Sequence, residues 1–203
     1  MSFNTYINKD NFDTIFNELA ETYETLGGNE KIDLYIVGGT AIVLNFAYRK
    51  STMDVDALFN TNVIFKTAIE KTADKLHLIH DWLNSDFAVT PSYSKEIINK
   101  AILHKEYGKH IYVYHLETKY LIAMKLKSSR PEGGDLEDIV KMIYETRLNR
   151  EELTYDDIIK AYEELYSSFD NTYEYFLRKT KESFETPLEE VELIMHPEKA
   201  LFL

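Results

Sequence analysis

The segment that most constrains the fold lies at residues 32–59, where two strand-like runs flank a glycine turn and an apolar helix. Residues 32–37 are mostly apolar and are followed directly by Gly38 and Gly39. A short apolar run that a glycine pair closes is typical of a buried strand ending in a tight turn. Residues 40–48 then have the apolar content of a helix with little polar face. This order predicts a strand, a glycine turn and a buried helix.

A second strand is predicted at residues 52–59, because apolar and polar side chains alternate there. The apolar set is Met53, Val55 and Ala57, and the polar set is Thr52, Asp54 and Asp56. A period of two predicts one buried face and places both carboxylates on the other. Same-side residues lie ~6.6–6.8 Å apart along a strand, so the two carboxylates could converge on one divalent ion. The alternative is a pair of ordinary solvent-facing acids.

The glycine turn precedes the acid pair by one helix-sized interval, so a phosphate-binding feature and a metal-binding feature can face each other. Glycine lets the backbone approach a ligand closely, and free N–H groups at the start of a helix favour phosphate. Mg²⁺ takes one or two carboxylates and completes its shell with water and substrate phosphates. Two common phosphate-binding motifs are excluded. The sequence GGTAIV lacks the further glycines of the Rossmann-type Gly-x-Gly-x-x-Gly motif, and it lacks the Gly-Lys-Ser/Thr ending of the P-loop. A turn with a backbone role only is the alternative.

The remaining periodicity predicts a mixed α/β (α+β) chain with a helical C-terminal third. Helices are predicted at residues 11–26, 63–78, 118–127, 135–148 and 154 to about 169, and a strand at 110–115. The expected N-caps are Asp10, Asp135 and Thr154. Residues 79–109 have no assignment beyond a break at Thr90–Pro91. We expect a core at residues 1–148 and a helical extension at 149–203, with one continuous domain as the alternative.

Composition excludes several classes of protein. The chain has no cysteine, which excludes disulfide frameworks, thiolate metal sites and a catalytic thiol. Its 44% hydrophobic content, with 15 Tyr and 11 Phe, suffices for a buried core. A net charge of −12 disfavours a broad nonspecific nucleic-acid surface, since that affinity comes from many Lys and Arg contacts. No run approaches the ~20 apolar residues of a membrane span, so we expect no membrane contact and a cytoplasmic location.

Two sequence blocks, in this order, resemble a known family. Residues 37–59, VGGTAIVLNFAYRKSTMDVDALF, are similar to the nucleotidyltransferase superfamily with the DNA polymerase β-like fold, where a Gly-Gly or Gly-Ser turn precedes a helix and a strand bearing Asp-x-Asp. Residues 120–139, YLIAMKLKSSRPEGGDLEDI, resemble the Lys-to-Asp motif of its abortive-infection, toxin-type branch. The resemblance covers roughly residues 32–143. It implies a small mixed sheet of the nucleotidyltransferase type, flanked by helices, with a helical C-terminal part.

The resemblance also implies an activity and a set of site residues. The implied nucleotide-binding residues are Gly38, Gly39, Thr40, Arg49, Arg130 and Asp135, and the implied catalytic residues are Asp54, Asp56 and Lys125. The two aspartates Asp54 and Asp56 would bind Mg²⁺ or Mn²⁺. The implied reaction moves an NMP from an NTP to an RNA acceptor, such as tRNA, or to a protein acceptor. A toxin of this branch implies an antitoxin protein as partner.

The match departs from the family pattern at two places. The predicted strand at residues 110–115 carries no third carboxylate, which leaves Glu117 or Asp135 as substitutes for a general base. Gly134 stands where the related toxins tend to have a basic residue. Two alternatives therefore remain open: a nucleotide-binding protein with impaired catalysis, and a protein-interaction module on the same fold.

Structural alternatives also exist for several polar residues. Asp135 and Asp138 suit the N-cap and N3 positions of the next helix. Lys125 lies within an apolar helix face and suits a side chain that extends past this face to solvent. His77 and His80 are three residues apart but lack a third ligand, so they are expected to be ordinary histidines.

Overall fold

A computed structural model of the protein describes residues 5–130, 132–167 and 174–197. By its internal contacts the chain forms two compact units. The first comprises Met1–Asn45, Arg49–Val89 and Ile97–Glu117, and the second comprises Phe46–Tyr48, Thr90–Glu96 and Thr118–Leu203. The sheet lies in the first unit, and the second is helical. The predicted boundary near residue 149 stays a prediction.

Within the described residues, the first unit contains a mixed five-stranded sheet of order β3-β2-β1-β5-β4. Its strands are β1 (Ile32–Ile36), β2 (Val55–Leu58), β3 (Leu83–Asn84), β4 (Ile102–Tyr107) and β5 (Ile111–His115). Strand β1 runs parallel to β5 and antiparallel to β2, while β3 is parallel to β2 and β4 is antiparallel to β5. Burial alternates along β1 and along β5 as far as Tyr114, which is the pattern of strands with one face in the core.

The helices of the first unit supply the other half of its core. They are α1 (Phe12–Thr25), α2 (Gly38–Asn45), α3 (Val63–Leu76) and the short α4 (Ile97–Lys100), with a 3-10 turn at Asp86–Val89. Helices α1 and α3 pack against each other. The ring of Phe16 stacks on Phe12 at 4.4 Å and meets Trp82 edge-on at 5.7 Å. The Trp82 indole N–H donates to the carbonyl oxygen of Ile69 at 3.1 Å, so this buried polar group is satisfied.

The second unit is built from α5 (Thr118–Ser128), α6 (Asp135–Leu148), α7 (Tyr155–Tyr166), α8 (Glu174–Glu185) and α9 (Leu188–Met195). Helix α5 packs on α6 and α7, and α6 packs on α8 and α9. Two earlier segments join these helices by hydrogen bonds. Glu145 accepts from the backbone N–H groups of Ala47 and Tyr48, at 2.5 and 3.1 Å, and the Tyr166 hydroxyl donates to the carbonyl oxygen of Ser92 at 2.7 Å.

The mixed sheet flanked by helices and the helical C-terminal part confirm the predicted fold class. Among the described residues, no helix combines the length and the apolar character that a membrane span requires.

The acid-pair strand is shorter than the sequence pattern predicts. Strand β2 begins at Val55, and the preceding Thr52 instead forms an isolated antiparallel bridge with Ile7. Met53, predicted on the buried face, is 39% exposed, whereas Thr52, predicted on the open face, is buried. The alternation fails before Val55 because that part of the chain pairs with a segment near the N-terminus rather than with the sheet. Asp54 therefore lies just before the strand and Asp56 within it.

Two of the three predicted N-caps are wrong. Asn11, not Asp10, precedes α1, and Gly134, not Asp135, is the N-cap of α6. Asp135 is the first helical residue, and its carboxylate is drawn into ion pairs instead of a cap. Thr154 is confirmed as the cap of α7, where it forms a full capping box.

Other boundaries differ by a few residues. The predicted helix at 40–48 begins earlier, at Gly38, and ends at Asn45. Helix α7 ends at Tyr166, and residues 168 and 169 of its predicted span lie outside the described residues. Strand β4 was not predicted because five of its six side chains are exposed, so this edge strand lacks the apolar alternation that marks a half-buried strand.

Candidate functional site

The turn between β1 and α2 brings backbone against a carboxylate. Gly38 has a φ of +64°, in the left-handed region that disfavours other residues. A Cβ atom at Gly38 would lie 2.7 Å from Oδ2 of Asp56, closer than real carbon–oxygen contacts allow. Both the conformation and the space therefore require glycine here. The side chain of Asp56 is held directly beside the start of α2.

The second glycine of the turn lies against a cation. A Cβ atom at Gly39 would be 2.9 Å from Nη2 of Arg49 and 3.5 Å from the hydroxyl oxygen of Thr52. The first N–H groups of α2 have no partners within the helix and carry the positive end of its dipole. A guanidinium group at the same end adds positive charge. This end of α2 thus has the electrostatics of an anion-binding site.

Two threonines position Asp54. The Thr40 hydroxyl, which is buried, donates to the carbonyl oxygen of Asp54 at 2.6 Å. The Thr52 hydroxyl donates to Oδ1 of Asp54 at 3.1 Å. The neighbouring Asp56 is fixed through its backbone, since its carbonyl oxygen accepts from the N–H of Val37 at 2.9 Å. The Thr40 hydroxyl therefore anchors the segment that carries the aspartates. For the predicted nucleotide binding, Thr40 has its backbone N–H group to offer.

We call this group the glycine–aspartate cluster; it comprises Gly38, Gly39, Thr40, Arg49, Thr52, Asp54 and Asp56. Its donor chemistry suits a hard divalent cation, because two half-exposed carboxylates stand together on one short segment. No group of three or more His, Asp or Glu side chains able to hold a metal lies within residues 5–130, 132–167 and 174–197. Mg²⁺ can be bound by two protein carboxylates alone, since water and substrate phosphates complete its coordination shell. A structural zinc site, with four protein ligands, does not fit.

A second group, the lysine–aspartate cluster, lies in the helical unit and comprises Tyr48, Lys125, Arg130, Asp135 and Asp138. The Lys125 ammonium is 2.8 Å from Oδ1 of Asp135 and 2.9 Å from Oδ2 of Asp138. Arg130 binds Asp135 through Nε to Oδ2 and Nη2 to Oδ1, each at 3.1 Å. The Tyr48 hydroxyl donates to Oδ1 of Asp138 at 3.2 Å.

The contacts in this cluster contradict the two structural alternatives, which were extension to solvent for Lys125 and helix capping for Asp135. The Lys125 side chain is only 12% exposed and Asp135 is fully buried, so the lysine is held by its two aspartates rather than extended to solvent. The side chain of Arg130 is 64% exposed despite its paired contact with Asp135. The cluster therefore presents an accessible guanidinium whose orientation is fixed by a buried carboxylate.

The pairing also makes Asp135 a poor general base. Burial by itself would raise the pKa of this carboxyl, but hydrogen bonds from Arg130 and Lys125 outweigh it and lower the pKa to about 2. A base works best when its pKa lies near the operating pH. Of the two substitutes for a third carboxylate, only Glu117 is left. Strand β5, Ile111–His115, carries no carboxylate.

The predicted site residues thus fall into two groups. Gly38, Gly39, Thr40, Arg49, Asp54 and Asp56 lie together in the first unit, and Lys125, Arg130 and Asp135 lie together in the second. Sequence reasoning missed Thr52 and Tyr48, and it assigned Asp138 to a cap. A hydroxyl two residues before Asp54 was a usable signal for Thr52. Tyr48 lies 90 residues from Asp138, and no local pattern connects them.

The family to which the chain belongs follows from comparison with known proteins. A family model described as a nucleotidyltransferase of unknown function (DUF6036) matches residues 11–187. The match spans most of the 203 residues and includes both clusters. Neither a curated protein nor a solved structure matches the chain. The chain is therefore a member of this family of nucleotidyltransferases of unknown function.

Proposed function

We propose that the chain transfers a nucleoside monophosphate from an NTP to a hydroxyl acceptor at the glycine–aspartate cluster. The observation that carries the proposal is the 2.7 Å approach between the Cβ position of Gly38 and Oδ2 of Asp56. It sets a helix N-terminus, which favours phosphate, directly beside a carboxylate, which favours a divalent cation. A triphosphate with its cation needs both kinds of group at once.

The geometry supports a role for each residue of the cluster. The N–H groups of Gly39 and Thr40 would donate to phosphate oxygens, and Arg49 would offset the phosphate charge. Asp54 and Asp56 would hold Mg²⁺ or Mn²⁺. When bound, the ion would orient the triphosphate and neutralise charge on it. The acceptor hydroxyl would attack the α-phosphorus in line, so that the new O–P bond forms as the bond to pyrophosphate breaks.

The resemblance assigns a phosphate contact to Lys125 and nucleotide binding to Arg130, both in the second unit. The exposed guanidinium of Arg130 is consistent with that role. The same resemblance supports a further proposal: the acceptor is RNA, such as tRNA, or a protein, and the chain is the toxin of a toxin–antitoxin or abortive-infection pair. Growth arrest on expression that is relieved by Asp56→Asn would support the toxin role, and unchanged growth would count against it.

A second candidate function is nucleotide binding without transfer. The observation that favours it is the pairing of Asp135 with Lys125 and Arg130, which removes one of two substitutes for the general base. Such a protein would bind an NTP with its cation and pass no nucleotide to any acceptor.

The test is transfer of label from each of four α-labelled NTPs to total RNA or protein, with Mg²⁺ or Mn²⁺. Wild type is compared with Asp54→Asn and Asp56→Asn, and with Asp74→Asn as control, since Asp74 is an exposed acid on α3. Label that requires Asp54 and Asp56 but not Asp74 supports transfer. Binding without label supports the second candidate, and absence of both would overturn the two proposals.

A further inference from the structure

Three tyrosines form a half-exposed aromatic ladder on one face of the central sheet. Register places Tyr35 of β1 beside Tyr114 of β5, and Asp33 beside Tyr112. All four side chains alternate with buried neighbours, so they share the face turned away from the α1 and α3 core. The rings of Tyr35 and Tyr114 are stacked, with centroids 4.9 Å apart and planes at 21°.

A charged pair lies at one end of the ladder. The Lys31 ammonium is 4.6 Å from the centroid of the Tyr112 ring and 2.8 Å from Oδ1 of Asp33. The Lys31 and Asp33 side chains are 54% and 31% exposed, so this end of the ladder is open to solvent. Because the two charges offset each other, the ladder can attract a ligand through its aromatic faces more than through net charge.

The ladder continues toward the aspartates. Tyr35 is opposite Leu58 of β2, and Asp56 lies two residues before Leu58 on the same side of that strand. Diagonal neighbours of this kind lie ~7–8 Å apart, within reach of an aromatic side chain. One end of the ladder is therefore next to Asp56, and the other end, at Tyr112, lies ~6.6–6.8 Å further along the sheet.

We propose that Tyr35, Tyr112 and Tyr114 stack the bases of a single-stranded RNA whose end is the acceptor for transfer at Asp56. This inference rests on the proposed function and names its acceptor. Aromatic side chains on neighbouring strands of a sheet are a general means of holding unpaired bases. Two successive ladder positions suit a strand of nucleotides better than the single base of an NTP.

The chemistry of the tyrosines fits uncharged stacking. Burial, followed by the nearby Asp33 carboxylate, raises the pKa of Tyr35, so its hydroxyl stays protonated at neutral pH. A neutral ring does not repel the phosphates of a strand. The whole-chain charge of −12 removes most of the nonspecific phosphate attraction, so RNA binding should depend weakly on salt. A plot of the logarithm of the binding constant against the logarithm of the salt concentration should have a slope below ~1 in magnitude.

The experiment measures fluorescence anisotropy of a labelled short single-stranded oligoribonucleotide with Mg²⁺, and binding of each NTP in parallel. Removing one ring with Tyr35→Leu or Tyr114→Leu should raise the Kd for RNA ~5- to 100-fold and leave NTP binding unchanged. Tyr35→Phe keeps the ring and should bind as wild type. The control is Tyr6→Leu, because Tyr6 is 56% exposed and belongs to none of the five strands. Circular dichroism verifies that each variant folds.

The outcomes separate this inference from the proposed function. RNA binding that Tyr35→Leu leaves unchanged would overturn the inference, and so would an equal loss of NTP binding, which would assign the ladder to the base of the NTP. Asp56→Asn should abolish metal-dependent NTP binding and preserve RNA binding. If Asp56→Asn leaves NTP binding intact while Tyr35→Leu abolishes RNA binding, the ladder stands as an RNA-binding surface and the proposed nucleotide site is wrong.

Discussion

At the residue scale, the glycine–aspartate cluster depends on positions where one side chain fits and others do not. Gly38 combines a left-handed backbone with a 2.7 Å clearance to Asp56, so two independent constraints act on one residue. The sequence indicated a glycine turn but could not indicate which side chain the turn contacts, since Asp56 lies 18 positions further on. The contact depends on the antiparallel pairing of β1 with β2.

Substituting Gly38 by alanine should therefore affect binding as well as stability. The left-handed backbone alone costs ~1–2 kcal/mol with a Cβ atom present, and displacement of Asp56 should weaken metal-dependent NTP binding at least ~10-fold. Gly27→Ala is a matched control, because Gly27 has a φ of +87° and nothing within 4 Å of its Cβ position. Thermal melts should show destabilisation of both variants, larger for Gly38→Ala because its Cβ atom also meets Asp56, and calorimetry should show weakened binding only for Gly38→Ala. Equal binding by both would contradict the assigned contact.

Asp135 is the residue on which the lysine–aspartate cluster depends. Asp135→Asn removes the charge that holds Lys125 and Arg130 and leaves a largely buried ammonium with one partner fewer. Breaking a buried pair in this way costs ~3–5 kcal/mol, measured by urea unfolding. Glu137→Gln, in the exposed i,i+4 pair with Lys141 of the same helix, should change the free energy of unfolding by less than ~0.5 kcal/mol. A small loss for Asp135→Asn would show that the buried pair does not stabilise the fold.

At the element scale, the start of α6 shows why a local pattern can mislead. An acid followed three residues later by another acid is the pattern of a capping pair, yet Gly134 is the cap and Asp135 points to Lys125 of α5. The local sequence is the same for a capping acid and for one that pairs two helices. Only the packing of α5 on α6 decides between them. Strand β4 was missed for the opposite reason, because an exposed edge strand has no apolar alternation by which the sequence could predict it.

The pH dependence of stability tests this helix junction. Folding lowers the pKa of Asp135 from 3.8 to about 2, so the unfolded chain binds the proton more readily. The stabilisation is fully present above pH 3.8 and is lost as the pH falls toward 2, amounting to about 2 kcal/mol. Urea unfolding at successive pH values should show this loss in wild type. In Asp135→Asn the same pH interval should show a correspondingly smaller decrease; an identical decrease would contradict the lowered pKa.

Helix α7 offers a case in which the local pattern suffices. The Thr154 side chain accepts from the backbone N–H of Asp157 at 3.2 Å, and Asp157 accepts in return from the N–H of Thr154 at 2.9 Å. Thr154→Ala should destabilise the chain by ~1 kcal/mol in thermal unfolding. Thr67→Ala, at a partly exposed position within α3, is the control and should have a smaller effect. Equal effects would mean that the capping box does not contribute.

At the scale of the whole molecule, the sequence predicted the order of elements around the glycine turn, the mixed fold and the helical C-terminal part. These features follow from the spacing of apolar residues, which can be seen within a short stretch of sequence. Pairings such as Tyr48 with Asp138 and the tyrosine ladder depend on strand register and helix packing, which no local window contains. The family match extends across both units and includes the residues of both clusters.

The measurement that tests the central claim most directly is calorimetric titration of an NTP into the protein, with and without Mg²⁺. The account predicts binding that requires the ion in wild type, that is lost in Asp54→Asn and Asp56→Asn, and that persists in the exposed-acid control Asp74→Asn. Binding that is independent of the ion, or equally strong in Asp56→Asn, would contradict a metal-dependent nucleotide site at the glycine–aspartate cluster.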